Sequence, residues 1–499
     1  MADISPTNTT NTFADVANAR AKVWKETFKK FASTADVLTP LEGPEGSGAS
    51  IAVRNDIKGR RGDRIEFTAS SELGEFGVLG ENTLKGNEED LKFSGTTCVL
   101  EFKRHATAIT ASLKKKMAGG HTLESLAAEV LGNHFGQWKQ RDALRRLISG
   151  VLGTGTGAVE LTAALPDGGI VGTDKTSINS LTASDLLGAD SFLDLNNAAS
   201  WYGVDPARIS RNGYPSSQDT HHHCLLADNQ LLKPLFKSGT FLNSLQNAGI
   251  RGATNPLFTG EMKEYDGTKI LNLRSAYGDL NGPIGSPLTP AARLKAVTTV
   301  PVSGNHTLHL VGKQGNRVSA DGSLASDLSE DPNYFVDFPG FDYQYTADQT
   351  AAPDNNLYYA AIYNPDGTSM VVSYDISGSG ASAVVGNLGN RIEIKARLNG
   401  VKAIGASAHD AATTIADGAL AYPCNATGIV YGYSLLMGAD AVIRAYGENM
   451  SMVDDKDDYG FSHGIGYQAM FGDAVWKDRN DRVRNYVLGV YAYTPIGAR

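Results

Sequence analysis

The chain has 499 residues, 45 Lys and Arg against 54 Asp and Glu, a formal charge of −9 and 41% hydrophobic residues. That is a globular composition with room for about two to four structural units, and its acidic balance argues against a protein that grips nucleic acid through a dense basic surface. Cys98, Cys224 and Cys424, without a C-x-x-C pair, argue against a disulfide framework or a Cys-rich zinc site and suit a reducing compartment. No apolar run reaches the roughly 18 residues that a spanning helix needs. Residues 1–13 are polar and lack the basic start and apolar core of a secretory signal.

From Ala14 to Ala32, the residues Val16, Val23, Trp24, Phe28 and Phe31, with Phe13 just before them, fall on one stripe. That spacing predicts an amphipathic helix, packed on its own domain or lying as an arm on a neighbouring subunit. Ile51–Ile57 and Arg64–Ala69 alternate as strands, and Phe93–Ala111 reads as one long strand. Between them, residues 73–90 carry Gly74, Gly77, Gly80 and Gly86 and follow neither a helical nor a strand period. A compact domain does not hold a structureless loop of that length unless the loop has a use.

The strongest helix follows. Thr122 is a candidate N-cap, and Leu123, Leu126, Ala127, Val130, Leu131, Phe135, Trp138, Leu144, Leu147, Ile148 and Val151 recur at spacings of three and four. The helix 122–152 would be about 45 Å long, and Gly153–Gly157 ends it. Pro206–Arg211 and Asp228–Gly249 read as helical pieces, and Asn255–Asn272 as a loop and hairpin turning at Asp266–Gly267. From 281 to 422 Pro, Gly, Ser and Asn rise, with short strands expected at Thr307–Gly312, Tyr334–Phe338, Leu357–Tyr363, Ser369–Tyr374 and Asn390–Ala396. This pattern predicts an inserted β-sandwich or barrel. A last helix is expected at Gly428–Ala445, then strands at Gly464–Phe471 and Tyr486–Tyr493.

The residue patterns give enzyme chemistry no positive support. His221, His222 and His223 stand beside Cys224, but adjacent histidines rarely converge on one ion, and no second ligand pair stands at metal spacing. Asp454, Asp455, Asp457 and Asp458 are interrupted by Lys456 and lack EF-hand spacing. Neither G-x-S-x-G nor H-E-x-x-H occurs. No catalytic residue, cofactor or metal is therefore expected. The charge layout is more informative. Glu72, Glu75, Glu81, Glu88, Glu89 and Asp90 make the glycine-spaced loop acidic, whereas Arg60, Arg61, Lys103, Arg104, Lys114, Lys115 and Lys116 make its flanks basic. These residues, with Trp24, Phe28 and Phe31 of the first helix, are the expected inter-subunit contacts. Complementary charge would set register and steer docking.

Residues 77–89, GVLGENTLKGNEE, followed by a strand and Arg104–His105, resemble a G-x-G-x-x-L-x-G-N-E-E loop motif. Residues 255–267, NPLFTGEMKEYDG, are similar to N-P-[IL]-F-T-G-x-x-x-x-Y-[ND]-G. Residues 426–445, 458–476 and 484–494 look like the C-terminal region of the same family. In this order, from about residue 50 onward, they resemble the major capsid proteins of N-four-like tailed bacteriophages. The segment 281–422 stands outside that pattern.

The resemblance implies an α+β chain with the HK-97-type capsid fold. Its parts would be an N-terminal arm (1–50), an extended loop with its strands (51–111) and a peripheral domain (112–200) with spine helix 122–152. An axial domain (201–280 and 425–463), a β-rich insertion (281–424) and C-terminal strands returning to the peripheral domain (464–499) would complete it. The implied function is a non-enzymatic structural one. Copies would assemble in the host cytoplasm as hexamers and pentamers, forming the icosahedral head that encloses double-stranded DNA in the virion. Portal, scaffold and decoration or cement proteins would be partners, with no membrane and no sequence-specific DNA binding. The competing readings are a β-rich adhesive, glycan-binding protein and a metal-dependent hydrolase using His221–His223.

Overall fold

The computed structural model describes residues 26–55, 64–70, 85, 93–110, 123–153, 163–208, 221–241, 243, 263–273, 286–293, 297–300, 305–308, 357–363, 369–376, 394–402, 413–415, 420–425, 427–457, 462–477, 483 and 485–495. Helix α1 (26–35) leads into strands β1 (Glu42–Pro44) and β2 (Ile51–Arg54). Strands β3 (Arg64–Ser70) and β4 (Phe93–Val99) form an antiparallel hairpin, in register from Arg64–Val99 to Ser70–Phe93. Leu100 separates β4 from β5 (Glu101–Thr110), so the single long strand expected over 93–111 is two. Helix α2 (Leu123–Leu152) is a 30-residue rod at the position the 3/4 spacing predicts.

Helix α1 runs parallel to the first half of α2 because glycines let the two backbones touch. A Cβ on Gly132 would stand 2.6 Å from the Phe28 carbonyl oxygen, and one on Gly136 would press closer still on that of Ala32. Phe28 fills the space between α1, Phe135 and Tyr467, with ring centroids 6.1 and 5.5 Å away.

After α2 come β6 (Gly169–Val171), α3 (Ala189–Trp201), β7 (Ala207–Arg208), β8 (His221–Asp228), α4 (Asn229–Lys237), β9 (Lys263–Tyr265) and β10 (Thr268–Leu273). Asp228 caps α4 by accepting from the Gln230 amide. Asp266 and Gly267, at φ 48° and 69°, turn β9 into β10 in the left-handed geometry that a two-residue Asp-Gly hairpin favours. The expected helical piece at Pro206–Arg211 is instead the short strand β7, paired to β8 through Ala207 and Arg208.

The β-rich segment holds β11 (Ala292–Arg293), β12 (Val297–Val300), β13 (Asn305–Leu308), β14 (Leu357–Tyr363), β15 (Ser369–Ile376), β16 (Ile394–Lys402), β17 (Thr413–Ile415) and β18 (Leu420–Cys424). Six of these form a sheet of order β11-β18-β14-β15-β16-β13, while β12 pairs with β17. The strand expected at Tyr334–Phe338 lies outside the described residues.

The chain ends with β19 (Tyr431–Met437), β20 (Val442–Asp457), β21 (Ser462–Val475) and β22 (Tyr486–Ala492). This corrects the helix expected over Gly428–Ala445. Every residue of β19 is buried, as is every residue of β22. A strand covered on both faces shows no alternation, so its apolar run cannot be told from a buried helix by period.

Two main sheets result. A five-stranded sheet runs β1-β2-β20-β21-β5, and a larger one runs β6-β22-β19-β8-β10-β9 with β7 beside β8. Sheet membership divides 425–499 otherwise than the sequence boundary at 463/464 does. β19 and β22 share the larger sheet, and β20 and β21 share the five-stranded one. On the larger sheet Leu226, Leu435 and Leu488 face a core shared with the second half of α2, while Leu225, Leu436 and Val487 face the core under α3 and α4. That second core also takes in Ala361, Tyr422 and Cys424, so the β-rich segment is seated on this face. The five-stranded sheet carries α1 and α2 on one face and the β3–β4 hairpin, through Phe67 and Cys98, on the other.

Candidate assembly surfaces

A buried ionic network fastens the segment after α1 to this frame. Arg444 of β20 has no exposed side-chain surface and grips Asp473 of β21 bidentately, Nε to Oδ1 at 2.6 Å and Nη2 to Oδ2 at 2.8 Å. Its Nη1 donates to Glu42 of β1, and its Nη2 also donates to the Lys139 carbonyl of α2 at 3.1 Å. Lys139 Nζ lies 2.6 Å from Glu42 Oε1 and 3.2 Å from Asp36 Oδ2. Asp36 Oδ1 accepts from the Leu38 amide at 3.0 Å. Burial pushes the Asp36 carboxyl above its ordinary value, against the pull of Lys139 and Arg444. Burial acts the same way on Glu42, but there Arg444 and Lys139 outweigh it and hold the carboxyl low. Three acids and two bases from α2, β1, β20, β21 and the α1–β1 link thus meet in one largely buried knot. Such a knot fixes geometry, because any partner removed leaves a charge stranded.

Further along α2, Lys103 of β5 pairs with Asp142 and lies 4.3 Å from the Phe471 ring centroid. Asp142 is held below the usual carboxylate range, since Lys103 and Arg146 overcome its burial. His222 and His223 each share a hydrogen bond with a backbone carbonyl, of Gly267 at 3.2 Å and Val204 at 3.1 Å. Among the described residues no three His, Cys, Asp or Glu side chains converge as metal ligands, and no helix is long and apolar enough to cross a membrane.

The expected contact residues fall into three groups. Glu72, Glu75, Glu81, Glu88, Glu89, Asp90, Arg60, Arg61, Lys114, Lys115, Lys116 and Trp24 lie outside the described residues. Phe28 and Lys103 are buried within their own chain, Phe28 against α2 and Lys103 on Asp142. Arg104 is exposed and Phe31 is half-buried, so both reach the surface. Sequence reasoning missed the large apolar side chains that the fold leaves in water: Trp201 at 87% exposure, Phe102 at 63%, Val130 at 57% and Leu126 at 43%. Leu126 and Val130 satisfied the helical period, which cannot say which stripe meets the sheet. It also missed the ionic knot. Its one signal was Arg444, the single base in the run 426–445.

Residues 8–286, more than half of the chain, match the family model described as phage capsid protein. The chain belongs to the phage capsid protein family. Its curated relative, the major capsid protein of Pseudomonas phage KPP25, is 24% identical over 289 residues, covering 54% of this chain and 75% of that protein. Among solved structures, the cyanophage Pam1 capsid superposes with a TM-score of 0.52 at 13% identity, over 92% of both chains. The capsid of Ralstonia phage GP4 gives 0.50 at 13% identity, over 92% of this chain and 91% of that one. The fold is the HK-97-like capsid fold, and the function of this phage capsid protein is structural, in the virion, through association with its own copies. The family match ends at residue 286, immediately before the β-rich segment begins at β11.

Proposed function

We propose that this chain is the major capsid protein of a tailed bacteriophage, assembling as hexamers and pentamers into the icosahedral head around double-stranded DNA. The observation that carries the reading is the β3–β4 hairpin. Its seven paired positions end at Ser70–Phe93, so the acidic segment 71–92 leaves from the tip of a hairpin seated on a rigid frame. In this reading α2 is the spine and the five-stranded sheet is the peripheral domain. The larger sheet is the axial domain, residues 1–50 are the arm and 51–111 the reaching loop. Residues 281–424 are an insertion on the axial domain that offers a docking place to an accessory protein. Portal and scaffold proteins complete the head, and assembly takes place in the host cytoplasm.

Closed rings and shells arise when one surface patch repeats around symmetry axes. Each contact is weak, and many neighbours multiply it. The basic side of the contact falls to Arg104, Arg60, Arg61 and Lys114–Lys116, since Lys103 is engaged internally. A net charge of −9 suits a wall that encloses DNA without clinging to it. Deleting Gly77–Glu89 should leave a soluble, folded subunit that forms no shells, as read by circular dichroism and sedimentation. Normal closed shells from the deletant would overturn the loop assignment.

A further inference from the structure

The outward faces of α3 and α4 carry opposite charge. In α3, Ala189, Phe192, Leu195 and Ala199 recur at spacings of three and four and face the core on the larger sheet. That leaves Asp190, Leu193, Asn197 and Trp201 exposed along the opposite side. Asp194 flanks this stripe, and Asp174 in the turn after β6 acts on it. Partial burial, and then the charges of Asp174 and Asp190, push the Asp194 carboxyl above its ordinary value. Among the described residues no cation pairs with any of these three carboxylates. In α4, Leu231, Leu232 and Leu235 are buried, and Lys233 and Lys237, one turn apart, stand exposed on the outer side. Neither lysine has an acid partner among the described residues.

We infer that the outward face of α3 on one copy docks on the outward face of α4 on a second copy, with Asp190 and Asp194 opposite Lys233 and Lys237 and Trp201 as the apolar anchor. The chain associates with its own copies, which supplies the occupant. Both helices sit on the larger sheet and share one core, yet no ion pair joins the two faces within a chain. Each face has one sign of charge, so α3 against α3 and α4 against α4 are both repelled, and α3 against α4 is the pairing that remains. Charge sets the register and the encounter, while affinity comes from apolar area. Trp201, at 87% exposure and in line with Leu193, supplies that area, as tryptophan does at the centre of many interfaces. Because the two faces differ, the contact is heterologous, and repeating it closes a ring when the rotation fits. Identifying that ring with a capsomer rests on the proposed capsid reading, whereas the α3–α4 contact rests on self-association alone.

Sedimentation velocity of the full chain, with electron microscopy of the same samples, reads the contact through two charge-reversed chains. One carries Asp190→Lys with Asp194→Lys, and the other Lys233→Glu with Lys237→Glu. None of the four positions is buried, so circular dichroism of each should match the parent. Alone, each reversed chain should need about tenfold or more protein for half-assembly. An equal mixture of the two should recover assembly, since each then meets opposite charge on the other. Trp201→Ser should also raise the half-assembly concentration about tenfold or more, with urea unfolding unchanged. A reversed chain that assembles like the parent, or a mixture no better than its components, would overturn the α3–α4 contact and leave the capsid reading standing. Rings that obey the swap but never close into shells would uphold the contact and count against the capsid reading. A parent chain that stays monomeric would overturn both.

Discussion

Arg444 shows how one residue can hold several segments in register. Its side chain is fully buried and touches Asp473, Glu42 and the Lys139 carbonyl, so β20, β21, β1 and α2 share one cation. Replacing it by Ala strands Asp473 in the interior and leaves Glu42 to Lys139 alone. Arg444→Ala should cost about 3–5 kcal/mol of stability, the usual result of breaking a buried pair from one side. Urea unfolding of the soluble subunit measures this, and a loss below about 1 kcal/mol would show that the knot is solvated. The same side chain marks a limit of sequence reading. A lone Arg in an apolar run says that a buried acid must exist somewhere, but Glu42 lies 402 positions away and only the fold brings it near. Phe28 is the converse case: its stripe was legible, whereas its burial against its own α2 rather than a neighbour was not.

At the level of elements, periodicity recovered α2 almost to the residue, because one of its faces meets a sheet and leaves a clear 3/4 pattern. It failed at 428–445, where β19 is buried on both faces and Gly438 and Asp440, at φ 51°, turn the chain toward β20. The Asp266–Gly267 turn was legible since its geometry is set by two adjacent residues. The acidic segment 71–92 is legible as charge, and the surface it is proposed to meet is not. Charge-reversing Glu88 and Glu89 to Lys should slow assembly most at low ionic strength, where screening is weakest. Light scattering across a salt series measures that dependence, and a salt profile identical to the parent's would reject charge-guided docking.

For the whole molecule, two sheets joined by one long helix form a frame, and the β-rich segment is an addition to it. That segment follows the end of the family match and shares the core under α3 and α4 through Ala361, Tyr422 and Cys424. The composition shift marks the segment in sequence, while its seat on the larger sheet needed the structure. If it decorates the head as proposed, protease should trim 294–419 from intact shells as fast as from dissolved subunits. Trimming only after shells are broken would place it inside.

The central claim is that copies of this chain associate into capsomers and build a closed shell. Negative-stain electron microscopy of the purified full-length chain tests it most directly, over a concentration series at neutral pH. The account predicts ring-shaped capsomers and closed shells that increase with concentration. A chain that remains a monomer throughout the series would contradict it.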